Sequence, residues 1–159
     1  MQAKQDDPTK LRPILDSRDW NEEVAYNHTP ILSMEELMEL VAARKYWSKI
    51  DLADGSHNIR IEEDSEQHFT YLIYMRYYRR RIMQQGDRNA PATMVQAIYE
   101  ILKHMVFKGH VIYIDDIIIF SDTCDEHVAT LLKVLQRLLH ERFWLKASKC
   151  QVFTKRLDI

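Results

Sequence analysis

The sequence predicts an α+β domain in which an antiparallel sheet is backed by helices on one face, and three observations carry that prediction. Short runs rich in Val, Ile, Tyr and Phe alternate with segments whose apolar residues recur at helical spacing. Helix-start residues stand ahead of such segments at Ser33, Asn89 and Thr123. The strand-like runs Phe69 to Met75 with Tyr77 to Met83, and the two halves of His110 to Ser121, read as hairpins, which makes the pairing antiparallel.

At 159 residues, with 46% hydrophobic and 29% charged side chains, the chain suits a single domain large enough to bury a core. A formal net charge of -2 excludes a bulk polycation, so any nucleic-acid contact must come from a local cluster such as Arg76 to Arg81. Cys124 and Cys150 fit no zinc spacing and, with no secretory leader in view, are expected to be reduced thiols of an intracellular protein. No apolar run reaches bilayer length, so membrane insertion is not expected.

In chain order, residues 1–10 form a polar, turn-rich lead-in. Leu11 to Asn21 alternates apolar and charged residues as a short strand entering a loop does. Ser33 with Glu36 is a capping-box signal for a helix with Leu37, Leu40 and Val41 on one stripe. Tyr46 to Leu52 is a strand, followed by a turn at 53–56. The arginines at 76–81 lie beside tyrosines, a mix that binds phosphate and stacks on bases, although a charge run is more often a solvated face. Asn89 and Pro91 start a helix with Met94, Ile98, Ile101 and Met105 on one face, which Gly109 closes. Thr123 and Glu126 cap a longer helix carrying Val128, Leu131, Leu132, Leu135, Leu138 and Leu139, and 143–153 supplies a last strand or turn. The seven histidines show no metal-site spacing.

The chemistry concentrates in His110 to Ser121, where Asp115 and Asp116 interrupt an otherwise apolar run. Ionised carboxylates are costly inside a core and repel each other, so the pair belongs at an open hairpin tip or around a cation. Residue chemistry alone leaves a tight turn and a metal or catalytic role about level, because hairpin turns favour the Asn or Gly absent here while paired carboxylates suit a hard cation. Asp51, at the end of an apolar strand beside a turn, reads by itself as a cap or Asx-turn residue.

Several separated stretches together resemble the reverse transcriptase of gypsy-class long-terminal-repeat retrotransposons. Leu11 to Asn21 is similar to that family's fingers strand, and Lys49 to Ile61 to its first palm motif. Met83 to Thr93 is similar to its substrate-binding loop and helix, Tyr113 to Asp116 to its Tyr-X-Asp-Asp box, and Glu126 to Cys150 to the helix and turn that follow. The resemblance implies a polymerase palm with partial fingers over residues 11–159, in which Asp51, Asp115 and Asp116 meet across two strands as catalytic carboxylates. It implies two Mg²⁺ ions, replaceable by Mn²⁺, with Asp51 and Asp115 as principal ligands, Asp116 completing the acidic cluster and Leu52 offering a backbone carbonyl. Arg12 matches the residue that grips the incoming triphosphate, Gln85 and Gly86 match residues lining the nucleotide site, and Lys4 is a looser match for a fingers lysine.

The implied reaction is RNA-directed DNA synthesis: transfer of a nucleotide from a dNTP to a primer 3′-hydroxyl on an RNA or DNA template, inside the cell within a cytoplasmic retroelement particle that has access to the nucleus. Two positions depart from the family pattern. Ser56 stands where an aromatic usually blocks the ribose 2′-hydroxyl, which predicts a relaxed choice of sugar, and Arg76 stands where the fingers-palm hairpin usually has Gly. The resemblance runs out near Ile159, so thumb and RNase H regions are expected from a longer polyprotein. The competing readings are a catalytically inactive relic, or one co-opted for nucleic-acid or protein binding, and an RNA-dependent RNA polymerase.

Overall fold

A computed structural model of the chain describes residues 2–4, 7–12, 16–53, 55–103 and 109–154. Its centre is a four-stranded sheet built from β3 (Tyr46–Asp51), β6 (His110–Tyr113), β7 (Asp116–Ser121) and β8 (Gln151–Thr154), ordered β6-β7-β3-β8 and antiparallel throughout. Two small antiparallel pairs stand apart from it: β1 (Gln2–Lys4) with β2 (Asp7–Arg12), and β4 (Thr70–Ile73) with β5 (Arg76–Arg79).

Alternation along the strands divides the sheet into two unequal faces. Ile50, Ile117 and Ile119 point to one side and pack with Met94, Ile98 and Leu102 of α3 (Ala90–Leu102) and Leu131, Val134 and Leu138 of α4 (Cys124–His140). The other side carries Ile118 and Phe120 beneath Leu37 and Val41 of α2 (Met34–Ala42), with Trp47, Val111 and Tyr113 alongside. The sheet is therefore backed by helices, but on both faces and not on one alone, since α2 covers one end of the second face. The uncovered end of that face is where Asp51 and Asp116 lie.

The helix starts follow their sequence signals to different degrees. Ser33 and Glu36 form a complete capping box, while Thr123 caps α4 by accepting from the Glu126 amide at 3.4 Å. Asn89 precedes α3 but spends its side chain on a neighbouring segment, accepting from the Asn27 amide at 2.9 Å and donating to the Ala25 carbonyl at 2.8 Å.

Four local expectations are corrected. Strand β2 begins at Asp7, inside the stretch expected to be an irregular lead-in, and the segment after it contains the short helix α1 (Arg18–Glu23) instead of a plain loop. Gly109 opens β6 rather than closing α3: its φ is +127°, and a Cβ there would sit 2.7 Å from the Phe120 carbonyl oxygen. Met105 lies outside the described residues. The positive φ of the β4–β5 hairpin falls on Tyr74 (+46°) and Met75 (+65°), so Arg76 is a strand residue and not the turn residue. In α4 the buried line is His127, Leu131, Val134 and Leu138, while Val128, Leu132 and Leu139 face solvent.

Candidate active site

Strand register brings the separated acids together. Asp51 ends β3, Asp116 begins β7, and the two are directly opposite partners on one face of the sheet. Tyr113 pairs with Asp116 on the other side, which leaves Ile114 and Asp115 as the two-residue turn of the β6–β7 hairpin. Ile114 has φ +52°, a conformation that glycine normally supplies at the first position of such a turn. A β-branched residue held there stores strain of roughly 1–3 kcal/mol, retained because both flanking strands are locked into the sheet.

This turn carries Asp115 toward the 3-10 turn formed by residues 55–58. A Cβ added to Gly55 would lie 3.4 Å from Asp115 Oδ1, ordinary contact distance, and 3.0 Å from Met94 Cε, which puts the Asp115 carboxylate beside this turn. Ser56 is buried in the same turn, one residue after Gly55. Leu52 is buried and bridges to Leu145, and the Asp51 carbonyl accepts from the Lys146 amide at 3.0 Å. The Cys150 thiol donates to the same carbonyl at 3.7 Å. The 144–150 segment thus seats the end of β3.

Asp115 is exposed at its turn, yet burial of its carboxyl raises its pKa above the usual carboxylate range, and the charges of Asp116 and Asp51 push the same way. Burial also raises Asp116, against the opposing pull of Lys49, whose Nζ lies 2.9 Å from Asp116 Oδ2. Two raised acids beside a third carboxylate concentrate negative charge of the kind that suits a hard cation. Among the described residues no three carboxylate, imidazole or thiol groups close around a common point, so the acids do not form a cage made of protein alone. Mg²⁺ typically binds one or two carboxylates and completes its shell with water and substrate phosphates, so an open arrangement fits that ion.

The remaining expected residues are placed less directly. Gln85 and Gly86 lie in an exposed loop just beyond Met83, whose amide donates to the Ile59 carbonyl at 2.9 Å, one residue past the 55–58 turn. Gly86 has φ +98°, and its carbonyl accepts from Asn21 of α1 at 2.9 Å. Arg12 ends β2 and Lys4 ends β1, with both side chains outside the described groups. Three side chains make contacts that the sequence reading did not foresee. Lys49 shares a strand face with Asp51, a relation that period-two alternation shows in principle. Arg80 braces the 85–89 loop through Asp87 at 3.0 Å, where Ser17 Oγ also donates at 3.0 Å. His127 is fully buried behind β3, with Ser48 Oγ 2.7 Å from Nε2 and Ser121 Oγ 3.0 Å from Nδ1.

Known proteins are similar to this chain in sequence and fold. A family model described as reverse transcriptase (RNA-dependent DNA polymerase) matches residues 2–159, lead-in included. The retrovirus-related Pol polyprotein from transposon 297 of Drosophila melanogaster is 33% identical over 146 residues, 92% of this chain and 14% of that polyprotein. The Pol polyprotein from transposon gypsy of the same organism is 25% identical over 147 residues, again 92% of this chain and 14% of the relative. A foamy viral protease-reverse transcriptase solved with double-stranded DNA superposes with a TM-score of 0.81 at 25% identity, over 93% of this chain and 26% of that one. Another, in complex with an RNA/DNA hybrid, gives 0.75 at 26% identity over 87% and 19%. The chain thus spans a small part of its relatives' length. From its first strand to its last, this protein belongs to the reverse transcriptase (RNA-dependent DNA polymerase) family.

Proposed function

We propose that this chain contributes the catalytic palm and part of the fingers of a retrotransposon RNA-directed DNA polymerase, joining dNTPs to a primer 3′-hydroxyl on an RNA or DNA template. The observation that carries the proposal is the register pairing of Asp51 with Asp116, with Asp115 turned in beside them by the strained Ile114. The complexes of the similar foamy viral enzymes with RNA/DNA hybrid and double-stranded DNA support a primer-template partner. The residues at 11–159 form the polymerase unit of this reading, and a longer polyprotein supplies the rest of the machinery.

The family uses divalent metal ions, and the acids here fit two Mg²⁺, with Mn²⁺ as a substitute. Such ions, when bound, make the primer hydroxyl a better nucleophile and neutralise charge on the leaving pyrophosphate. Asp51 and Asp115 supply hard carboxylate oxygens, and Leu52 adds a backbone carbonyl. Asp116 is held by Lys49 and completes the negative rim. In this reading Ser56 adjoins the sugar, Gln85 and Gly86 line the nucleotide, and Arg12 is the residue assigned to its triphosphate.

The test is primer extension on an RNA template by the purified chain with Mg²⁺ or Mn²⁺, beside the Asp115→Asn variant. Extension by the native chain, lost in a variant with unchanged circular dichroism, is the expected result. Incorporation surviving in Asp115→Asn would sink the assignment of the acids. A folded native chain that extends nothing would favour the binding-module reading instead.

A further inference from the structure

The short helix α1 grips three consecutive residues of the 85–89 loop. Ser17 stands at the start of α1 and Asn21 four positions on, so the two lie on one face of the helix. Ser17 Oγ donates to the Asp87 carboxylate at 3.0 Å. Asn21 Nδ2 donates to the Gly86 carbonyl at 2.9 Å, and Asn21 Oδ1 accepts from the Arg88 amide at 2.8 Å. The Asn21 carbonyl accepts from the Arg88 guanidinium at 3.2 Å, and that guanidinium lies 5.3 Å over the Tyr26 ring. The helix is itself anchored: Trp20 packs on Phe69 at 4.9 Å, and Arg80, which also holds Asp87, lies 5.0 Å over the same ring.

These contacts differ in what they hold. Ser17 and Arg80 hold the side chain of Asp87, whereas the Asn21 carboxamide holds the backbone on both sides of it. A short carboxamide offers a donor and an acceptor on one planar group, which is what a carbonyl and an amide two residues apart require. The backbone between them is of the kind that needs holding: Gly86 has φ +98°, a conformation that costs little only for glycine. A Cβ built on Gly86 would meet no atom within 4 Å, so the glycine answers to the backbone angle, and the space beside it is open to a ligand. We propose that Asn21 is a positioning residue of the nucleotide site: by bridging the Gly86 carbonyl and the Arg88 amide, it fixes the Gly86 peptide in the orientation that receives an incoming nucleoside triphosphate. It acts through the loop and takes no part in the chemistry. The nucleotide half of this inference rests on the polymerase reading above; the bridging of the loop does not.

The test compares Asn21→Asp, Asn21→Ala and Ser17→Ala with the native chain. Asn21→Asp keeps the acceptor for the Arg88 amide but turns an oxygen on the Gly86 carbonyl, while Asn21→Ala removes both contacts and is the better helix former, which keeps α1 intact. Nucleotide affinity is read by anisotropy of N-methylanthraniloyl-dGTP with Mn²⁺ on an RNA template whose primer ends in a dideoxynucleotide, so that no chemistry follows binding. Both Asn21 variants are expected to weaken nucleotide binding by about tenfold, the scale of a lost hydrogen bond or two, with primer-template affinity and thermal midpoint kept. Where the chain extends an ordinary primer, KM for the dNTP should rise by the same factor with a smaller change in kcat. Ser17→Ala loosens Asp87 and leaves the backbone bridge, so it should weaken nucleotide binding less. Nucleotide affinity unchanged in both Asn21 variants overturns the proposal, and if the native chain extends primers the polymerase reading survives that failure. Equal weakening by Ser17→Ala also overturns it, since general loosening of the loop would then be the cause. A native chain that extends nothing, yet binds the nucleotide in a manner dependent on Asn21, supports the proposal and sinks the polymerase reading. A native chain that binds no nucleotide overturns both.

Discussion

Lys49 and Asp116 meet at 2.9 Å across β3 and β7, on the face of the sheet that also carries Asp51, and both side chains are mostly shielded, at 16% and 19% exposure. The pair explains how three carboxylates are tolerated at one end of a sheet. Like charges directly opposite each other on neighbouring strands are destabilising, and Asp51 faces Asp116 in that way. Lys49 compensates one of the two.

Lys49→Met is expected to lower the stability of the metal-free protein at neutral pH by about 1–3 kcal/mol, since it strands a shielded carboxylate beside another. Thermal denaturation checks this directly. Addition of Mn²⁺ should recover part of the loss, because a bound cation replaces the missing ammonium. A deficit that Mn²⁺ leaves untouched would mean that Lys49 serves packing alone.

Arg80→Met addresses the loop beyond the site. The Arg80 and Asp87 side chains are 9% and 11% exposed, and the guanidinium reaches both carboxylate oxygens, at 3.0 and 3.1 Å. Removing one partner of a shielded pair costs about 2–4 kcal/mol, since the other is left buried and unpaired. The expected result is that loss in chemical denaturation, together with faster amide exchange at 85–89. An unchanged exchange rate there would remove the bracing role.

These two pairs show where the sequence was readable. The apolar run of β7 and the acids at its tip were legible because composition and alternation are local properties. Asp51 was ambiguous by itself because its partner Asp116 is remote in sequence and only register joins them. Arg80 sat in a charge run, whose default reading is a solvated face, and nothing local distinguishes it from exposed Arg79. The helix α4 was correctly placed, but its buried line includes His127, an imidazole whose two serine partners sit on β3 and at the end of β7. Apolar periodicity gives no weight to such a residue, and so the stripe was drawn through positions that prove exposed.

Ser56→Tyr tests the sugar. Ser56 is 9% exposed in the turn whose Gly55 lies beside Asp115, so a tyrosine there adds bulk to a buried position one residue away from that contact. Its incorporation of ribonucleotides relative to deoxynucleotides should fall at least about tenfold, the scale on which a pocket rejects one extra group. Overpacking should cost about 1–3 kcal/mol, read separately by thermal denaturation. A stability loss with an unchanged sugar ratio would place Ser56 away from the ribose.

Acid sensitivity follows from two shielded histidines. Burial pushes His110 down from 6.5 to about 4 and lowers His127 as well. Around His127 the hydrogen bonds fix one neutral form. Ser121 Oγ donates to the Thr123 carbonyl at 2.9 Å, so it accepts from Nδ1–H; Ser48 Oγ accepts from the Phe153 amide at 3.2 Å and donates to Nε2. A proton on Nε2 would leave the Ser48 hydroxyl without its acceptor. Both folded-state values lie below those of the unfolded chain, which therefore takes up protons first as pH falls. The histidine contribution is complete above about 6.5 and is lost on acidification, for His110 down to about 4, at a scale of about 3 kcal/mol. The raised Asp115 and Asp116 act in the opposite sense, since their folded forms hold protons more tightly and gain stability on acidification. Denaturant titrations between pH 7 and pH 4 should show native stability falling as pH drops, with a shallower fall in His110→Gln and in His127→Gln. If the variants kept the native slope, the acid sensitivity would have to come from groups other than these two imidazoles.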